Sequence, residues 1–481
     1  MWKRFVLGGF LVISLTAAAT ATAGLLEVQN VVDAFHQSKP LKLGGLLAGV
    51  REGAPQTVMI IGSDKRSVGA RSGARDAPHS DTMLLVRLDP GSGAISVLSI
   101  PRDLRVTIRE RSGPVVAKIN QAFADGGTKL AVKTVEQVTG LAINHVVDMH
   151  FAGFKRVVDV LGCVYVDIDR RYFNHDIGTP DTNFADINIQ PGYQKLCGKD
   201  ALDYVRYRHT DTDIVREARQ QDFLRQVKDQ LGVQGLLDKR LALEHVFGSD
   251  VSTDVHSSHE ILQILKLLVD SFSRPVRQVH FDIMLGPSYV TATPGQIRQG
   301  VREFLRANAG PPRPTSAGDQ GLRRHASEAG NGGSRVGISL TPATFSELSD
   351  AQARRQSLRF PLYYPVGRVQ VGGMPDALRV YGIRDQQGHR HTAYRVVVSK
   401  GLVGDYYGIE GMDWTNPPIV KQPSELHNYG NRVLEYFYSG RHLRLIAWRT
   451  PHAVYWLINT LTDSLSNQEM IAVARAARPV R

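Results

Sequence analysis

The first strong signal along the chain is an uncharged run from Phe5 to Leu26, set behind the basic head Met1-Trp2-Lys3-Arg4 (residues 1–4). A run over residues 5–26 has the length of a bilayer-spanning helix, and the basic head predicts that whatever follows lies outside the cytoplasm. The rival reading is a cleaved signal peptide, since Ala21-Thr22-Ala23 has the small-x-small form a signal peptidase accepts. Either way the expected localisation is extracytoplasmic: a single-pass membrane protein, or a secreted one. A connector over residues 27–54 comes next, and after it apolar runs alternate with helical spacing. Val58 to Ile61 reads as a strand. Met83 to Leu88 and Ala94 to Ile100 read as a hairpin around Asp89-Pro90-Gly91. Helical spacing recurs at 128–139, in a stretch ending at Leu161-Gly162, from Asp213 to Leu231 and from Ile261 to Val269. Between these lie the strands His145 to Phe151 and Val164 to Ile168.

This order predicts an α/β fold, with a mixed central sheet flanked by helices over residues 55–307. A stretch rich in Gly, Pro and Ser follows at 308–356 and reads as a linker. A second, smaller α+β domain is expected at 357–481. Its strand pairs are Leu378 to Tyr381 with Tyr394 to Val398, and Val433 to Tyr438 with Leu443 to Trp448, and a helix over Asn467 to Ala477 closes it. The aromatic residues of the second pair (Tyr436, Phe437, Tyr438, Trp448) read as core in preference to a glycan- or protein-binding face. There is no internal repeat.

Composition changes the picture in two ways. The excess of 58 Lys and Arg over 46 Asp and Glu, a net +12, favours polyanionic partners. An exported chain removes nucleic acid from that set and leaves anionic membranes and phosphate-bearing substrates. The two cysteines, Cys163 and Cys197, read as a disulfide in such a chain, with two buried thiols as the alternative.

The densest chemistry lies between Arg206 and Gln221. On a helix Arg216 and Gln220 stand one turn apart beside Arg219, with Phe223 and Val227 on the same face. Cations interleaved with large apolar residues suggest a groove rather than a solvated stripe. The planar fork of arginine suits phosphate oxygens. Arg206 and Arg208, read as an extended segment, would point the same way. The competing reading pairs these cations with Asp211, Asp213 and Glu217 on the surface. A second constellation is Asp64, directly after one strand, and Asp81, at the start of the next. If those strands are antiparallel neighbours, both carboxylates share a sheet edge and suit Mg²⁺ together with substrate phosphate oxygens; capping of nearby backbone N–H groups is the alternative. A third is Ser99-Ile100-Pro101-Arg102-Asp103, with Lys118 and Asn120 beyond it. His389, His391 and His427 read as surface histidines. Motifs for a serine nucleophile elbow, a zinc protease helix and a phosphate loop are absent.

Six ordered motifs give the chain a resemblance. They are Gly-x-Asp-x-Arg, Ser-Asp-Thr-Met, Ser-Ile-Pro-Arg-Asp, Lys-Ile-Asn, Ala-Leu-Asp-Tyr-Val-Arg-Tyr-Arg and Asp-x-x-Arg-x-x-Arg-Gln-Gln. Together, over about residues 55–235, the chain resembles the LytR–CpsA–Psr family of cell-wall glycopolymer phosphotransferases. The resemblance implies transfer of a phosphoglycan from a polyprenyl-pyrophosphate carrier to a peptidoglycan hydroxyl, outside the cell and with Mg²⁺. It implies Asp64 and Asp81 as metal ligands. It implies Arg66, Lys118, Arg206, Arg208, Arg216 and Gln220 as pyrophosphate contacts, and Arg102, Asp103, Asp213 and Arg219 as catalytic, with Asp103 or Asp213 taking the acceptor's proton. The prenyl tail requires an apolar cavity, for which Ile261 to Val269 is a candidate wall, with ordinary core packing as the equal alternative. Two departures stand out: His79 precedes Ser-Asp-Thr where the family often has arginine, and the stretch from Ser67 to Pro78 is long and rich in Arg and Gly. Two other functions fit the same residues. One is a hydrolase with water as acceptor, the other a non-enzymatic polyanion-binding or regulatory envelope protein.

Overall fold

The computed structural model describes residues 39–480, except 64–79, 178–184, 208–210, most of 240–249, 273, 287, 307–337, 370–377 and 402–404. Two seven-stranded sheets organise it. The first runs in the order β1 (Lys39–Pro40), β12 (Val251–Thr253), β7 (His145–His150), β2 (Gln56–Ser63), β3 (Ser80–Leu88), β4 (Ile95–Ser99), β13 (Val276–Val279). All five residues of β4 are buried, as expected of a strand covered on both faces. The pairs β2–β3 and β3–β4 are antiparallel, whereas β2–β7 is parallel. The end of β2, the start of β3, and the ends of β4 and β7 therefore meet at one edge of the sheet. Such an edge, where chains leave the sheet, is where α/β folds place ligands.

Helix α1 (Gln121–Thr139) covers one face through Ala131, Val132 and Val135, packed with Met59, Ile61, Leu85 and Leu98. It breaks at Gly126 and Gly127, where φ is −140° and +61°, and the helix that spacing predicts at 128–139 is its second half. A hairpin of β5 (Arg105–Glu110) and β6 (Gly113–Lys118) leads into it. From β7 the chain enters α2 (Phe151–Leu161), β8 (Val164–Ile168), β9 (Tyr172–Asn174), β10 (Ile187–Ile189), β11 (Gly192–Leu196), α3 (Gly198–Arg206) and α4 (Asp213–Asp238). Here β8 pairs antiparallel with β11 and β9 with β10. Cys163 and Cys197 form a disulfide, as expected. Helix α5 (Ser258–Phe272) packs Leu267 against Leu84, Leu88, Ile95 and Val97. Leu267 thus covers the first sheet, the core-packing reading of this helix, while the side chains of Ile261, Leu262, Leu265 and Val269 lie outside the described ones. The short strands β14 (Met284–Leu285) and β15 (Val290–Thr291) and helix α6 (Pro294–Leu305) close this half.

The expected single-pass anchor and cell-membrane localisation are corrected. No helix among the described residues is long and apolar enough to cross a membrane, and the stretch 5–26 on which that expectation rested lies outside them.

The C-terminal half starts earlier than composition suggests. After β16 (Thr341–Pro342), helix α7 (Phe345–Arg355) lies inside the stretch read as linker. It opens on a reciprocal capping box between Thr344 and Glu347 and buries Ala351 in the core. The Gly- and Ser-rich composition masked this start signal. Strands β17 (Tyr363–Pro365) and β18 (Gly367–Arg368) lead to the second sheet. That sheet comprises β19 (Arg379–Arg384), β20 (Arg390–Ser399), β21 (Tyr406–Met412), β22 (Glu425–Tyr429), β23 (Arg432–Ser439), β24 (His442–Thr450) and β25 (Ala453–Ile458). It is antiparallel throughout, in the order β19-β20-β21-β25-β24-β23-β22. Helix α8 (Asn467–Ala476) covers one face, and β26 (Ala477–Pro479) pairs with β17. Tyr436, Phe437 and Trp448 are buried, so the core reading holds for them.

The other face of this sheet is docked on β8 and β11. Tyr165 and Tyr193 pack among Met412, Phe437, Leu445 and Trp456. At the centre of the contact the Asp167 carboxylate accepts from Arg395 Nη1 at 2.7 Å and Trp456 Nε1 at 2.6 Å. Glu410 lies 3.7 Å from Arg395 and accepts from the Tyr381 hydroxyl. Burial pushes the Glu410 carboxyl up to about 8, although Arg395 pulls it the other way.

Candidate active site

Four segments converge at the sheet edge. Ile100 donates its N–H to the Met83 carbonyl at 2.9 Å, which sets the turn at 101–104 beside the start of β3. In that turn Asp103 is flanked by Lys118 Nζ at 2.9 Å and Arg102 Nε at 3.7 Å. The Arg102 carbonyl accepts from the Asn120 N–H at 3.1 Å. The structure thus joins Arg102, Asp103 and Lys118, three residues the sequence could only place near one another.

Arg206 is the last residue of α3. The expected extended segment is corrected at this point: a helix capped at Cys197 runs through Arg206, and Arg208 lies outside the described residues. The Arg206 guanidinium sits 4.0 Å over the Phe151 ring. Gln220 on α4 donates to Thr82 Oγ1 at 2.9 Å and to the Val205 carbonyl at 3.1 Å, tying α4 to both β3 and α3. Arg216, one turn earlier, is 3% exposed. Arg206, Gln220 and Thr82 mark one end of a cavity that encloses about 940 Å³ when the solvent at its open mouth is counted. Its remaining walls are almost wholly apolar and come from α2, α3, α4 and strands β2, β3 and β7, with Phe154, Phe223, Leu224 and Val227 among them. Of the helical face that sequence spacing singled out, Gln220, Phe223 and Val227 line the cavity, and Arg216 is not among its lining residues. That cavity is amphiphilic, with a guanidinium and an amide at one end and hydrocarbon along the rest.

Arg219 points elsewhere. It is fully buried, donating to Asp211 Oδ2 and to the Tyr207 carbonyl, both at 2.5 Å. The rings of Tyr172, Tyr204 and Tyr207 surround it. Arg170 holds the other Asp211 oxygen. Burial opposes the Arg219 charge, yet Tyr172, Asp211 and Tyr204 keep it above the usual arginine range. Burial likewise raises the Asp169 carboxyl, which accepts from the Tyr172 hydroxyl at 2.6 Å. This cage anchors the ends of the segment between Tyr207 and Asp211, so Arg219 acts on the backbone that carries the basic motif.

Asp64 and Arg66 lie outside the described residues, and Asp81 and Asp213 are described in backbone only. Register still bears on the metal expectation. Ser63, the residue before Asp64, pairs with Ser80, the residue before Asp81, across an irregularity in the β2–β3 ladder. Beside them is Asp148, a carboxylate that sequence reasoning missed. It is 1% exposed and accepts from Ser63 Oγ at 3.1 Å and Thr128 Oγ1 at 3.0 Å. An aspartate within the apolar run His145-Val146-Val147-Asp148-Met149 was the available signal. Carboxylate and hydroxyl oxygens are hard donors, and their chemistry fits Mg²⁺. Among the described residues the one grouping of three metal-type side chains is Asp159, Cys163 and Cys197, whose sulfurs are committed to the disulfide. His391 stands between Asp385 and Asp413 and stacks on Trp414.

The profile of the LytR_cpsA_psr family matches residues 10–293. The chain is 31% identical over 230 residues to a polyisoprenyl-teichoic acid–peptidoglycan teichoic acid transferase, TagU, of Bacillus cereus, covering 46% of this chain and 69% of that protein. It is 29% identical over 244 residues to an uncharacterized protein of Staphylococcus aureus, covering 49% of this chain and 58% of that one. Among solved structures, Bacillus subtilis TagV matches at 23% identity with a TM-score of 0.42, covering 53% of this chain and 97% of that chain. A TagT structure with bound octaprenyl pyrophosphate lipid matches at 23% identity with a TM-score of 0.39, covering 55% and 97%.

Proposed function

The chain belongs to the LytR–CpsA–Psr family, whose profile spans more than half of it, and on that premise we propose that it transfers a phosphoglycan from a polyprenyl-pyrophosphate carrier to a hydroxyl of a cell-wall polymer, peptidoglycan being the expected acceptor. The observation that carries this reading is the amphiphilic cavity: an apolar chamber with Arg206 and Gln220 at one end. It suits a molecule with a long hydrocarbon tail and an anionic head. A soluble sugar nucleotide would leave most of that apolar wall unused.

Each residue has a role in this scheme. The tail fills the space between α2 and α4, and the pyrophosphate lies at the Arg206 end. Phosphoryl transfer asks little covalent chemistry of the protein and much charge neutralisation and in-line positioning. The Arg206 fork, held over the Phe151 ring, is oriented before substrate arrives. Arg216 adds a second cation from the same helix as Gln220. Asp64 and Asp81 would hold Mg²⁺, which would supply further neutralisation of the pyrophosphate oxygens. The acceptor oxygen attacks the sugar-bearing phosphorus, the bridging P–O bond breaks and lipid monophosphate departs. The acceptor's proton passes to a carboxylate, the role we assign to Asp103 or Asp213.

The test is the purified protein with a prenyl-pyrophosphate-linked sugar and Mg²⁺, with and without a peptidoglycan acceptor. Acceptor-dependent product is expected. Release of the sugar phosphate without acceptor would make the protein a hydrolase, and absence of turnover under both conditions would overturn the enzymatic reading.

A further inference from the structure

Helices α2 and α3 run antiparallel along the cavity and are joined differently at their two ends. At the first end Arg206 closes α3 over Phe151, which opens α2. At the second, Cys163, just past the C-terminus of α2, is bonded to Cys197, the N-cap of α3. Asp159 Oδ1 also accepts the Gly198 N–H there at 2.7 Å. The chain reaches this bond through two left-handed residues, Gly162 at φ 92° and Cys163 at φ 66°, so the strained turn is pinned from both sides. Helix α4 is fastened at the same end. Gln230 accepts from the Tyr165 N–H at 2.9 Å and donates to the Tyr165 carbonyl at 2.6 Å.

Two cavity residues stand next to these fastenings. Leu161 lies ten positions beyond Phe151 on α2, about 15 Å of helix rise. Val227 lies seven positions beyond Gln220 on α4, about 10 Å. Both are therefore far from the guanidinium end. The helices that carry them cannot splay apart there without breaking a covalent bond and a paired amide contact.

We propose that this end of the cavity is a stop that sets the prenyl-chain length the protein accepts, with Leu161 and Val227 as its surface and the Cys163–Cys197 bond and Gln230 holding it closed. This rests on the reading that the cavity takes a prenyl tail. Each methylene that enters adds roughly fourfold in affinity, and each one left in water adds none. Affinity should therefore climb with chain length and then level off where the tail meets the stop.

The experiment measures dissociation constants of the full-length protein for a series of prenyl pyrophosphates, from farnesyl and geranylgeranyl upward. The wild type is expected to show a rise and a plateau. Leu161→Trp and Val227→Trp fill the far end, so the plateau should move to shorter chains and the long-to-short affinity ratio should fall by about tenfold. Cys163→Ser with Cys197→Ser, or reduction of the wild type, should move the plateau to longer chains. Circular dichroism and melting temperature identify any variant that fails to fold; Leu161→Phe is the smaller alternative. A plateau unmoved in folded Leu161 and Val227 variants overturns the proposal, as does affinity that keeps rising with length in the wild type. Failure of the wild type to bind any chain overturns the tail reading itself, and with it this one.

Discussion

The two seven-stranded sheets solve the same burial problem with opposite results. The second is antiparallel from edge to edge, with a helix-covered core on one face and the first half of the chain on the other. Two of its charges are spent inward: Arg395 and Glu410 are buried, and Arg395 pairs with both Glu410 and the buried Asp167 of β8. The first sheet mixes parallel and antiparallel pairs, so the ends of β2, β4 and β7 and the start of β3 gather at one edge. Arg206 and Gln220 stand at a cavity beside that edge. Arg395 in the second sheet joins the two halves of the molecule, whereas Arg206 beside the edge of the first lies at a cavity. Arg219 shows that neighbours in a motif can belong to different sides of this division.

That contrast can be broken in four ways. Arg395→Ala leaves Asp167 and Glu410 buried without their cation, and should cost about 3–5 kcal/mol of stability; urea denaturation reads it, and an unchanged midpoint would remove the interface's structural role. Arg206→Ala should leave that midpoint in place and reduce turnover by a factor of about 10²–10³, the size seen when one preorganised donor is lost. Steady-state kinetics checks this, and equal activity would unseat the site assignment. Gly192→Ala is a smaller probe of the docked face. A Cβ there would lie 2.6 Å from the Tyr381 hydroxyl, on a residue whose φ is +111°, and melting should register a loss of about 1–3 kcal/mol.

The last test concerns pH. Glu410 is pushed up to about 8 from 4.5, so between those values the folded chain carries a proton that the unfolded chain has released. Its contribution is complete below pH 4.5 and falls as pH rises through 8. Glu410→Gln should flatten the decline in stability across this window. An identical slope in the variant would show that Glu410 does not titrate there.

Much of the architecture was legible because it follows from local periodicity. The hairpin around Asp89, the strand pair at Val380 and Tyr394, and the helix after Gly127 all sit where apolar spacing put them. What escaped was set by tertiary context. Helix α3 carries Arg206 on a sequence that also reads as extended, and packing against α2 and α4 decides between the two. Helix α7 hid behind Gly- and Ser-rich neighbours. At the candidate site, spacing alone could put Gln220, Phe223 and Val227 on one face, because a single helix fixes that. It could not separate Arg219 from Arg216, because the acid that captures Arg219 sits at Asp211, across a turn. Asp148 was missed because a lone acid in an apolar strand gains meaning only when Ser63 and Thr128 are brought to it.

The bond between Asp167 and Trp456 joins residues 289 positions apart in sequence. During synthesis, β8 and β11 leave the ribosome long before the sheet that covers them exists. For that interval Tyr165 and Tyr193 present a bare aromatic surface, and contacts of such long range form slowly. The nascent first half is thus an unfinished object with a sticky face, open to proteases and to other chains until the last strands arrive. The step at which this protein is most easily lost is its own completion.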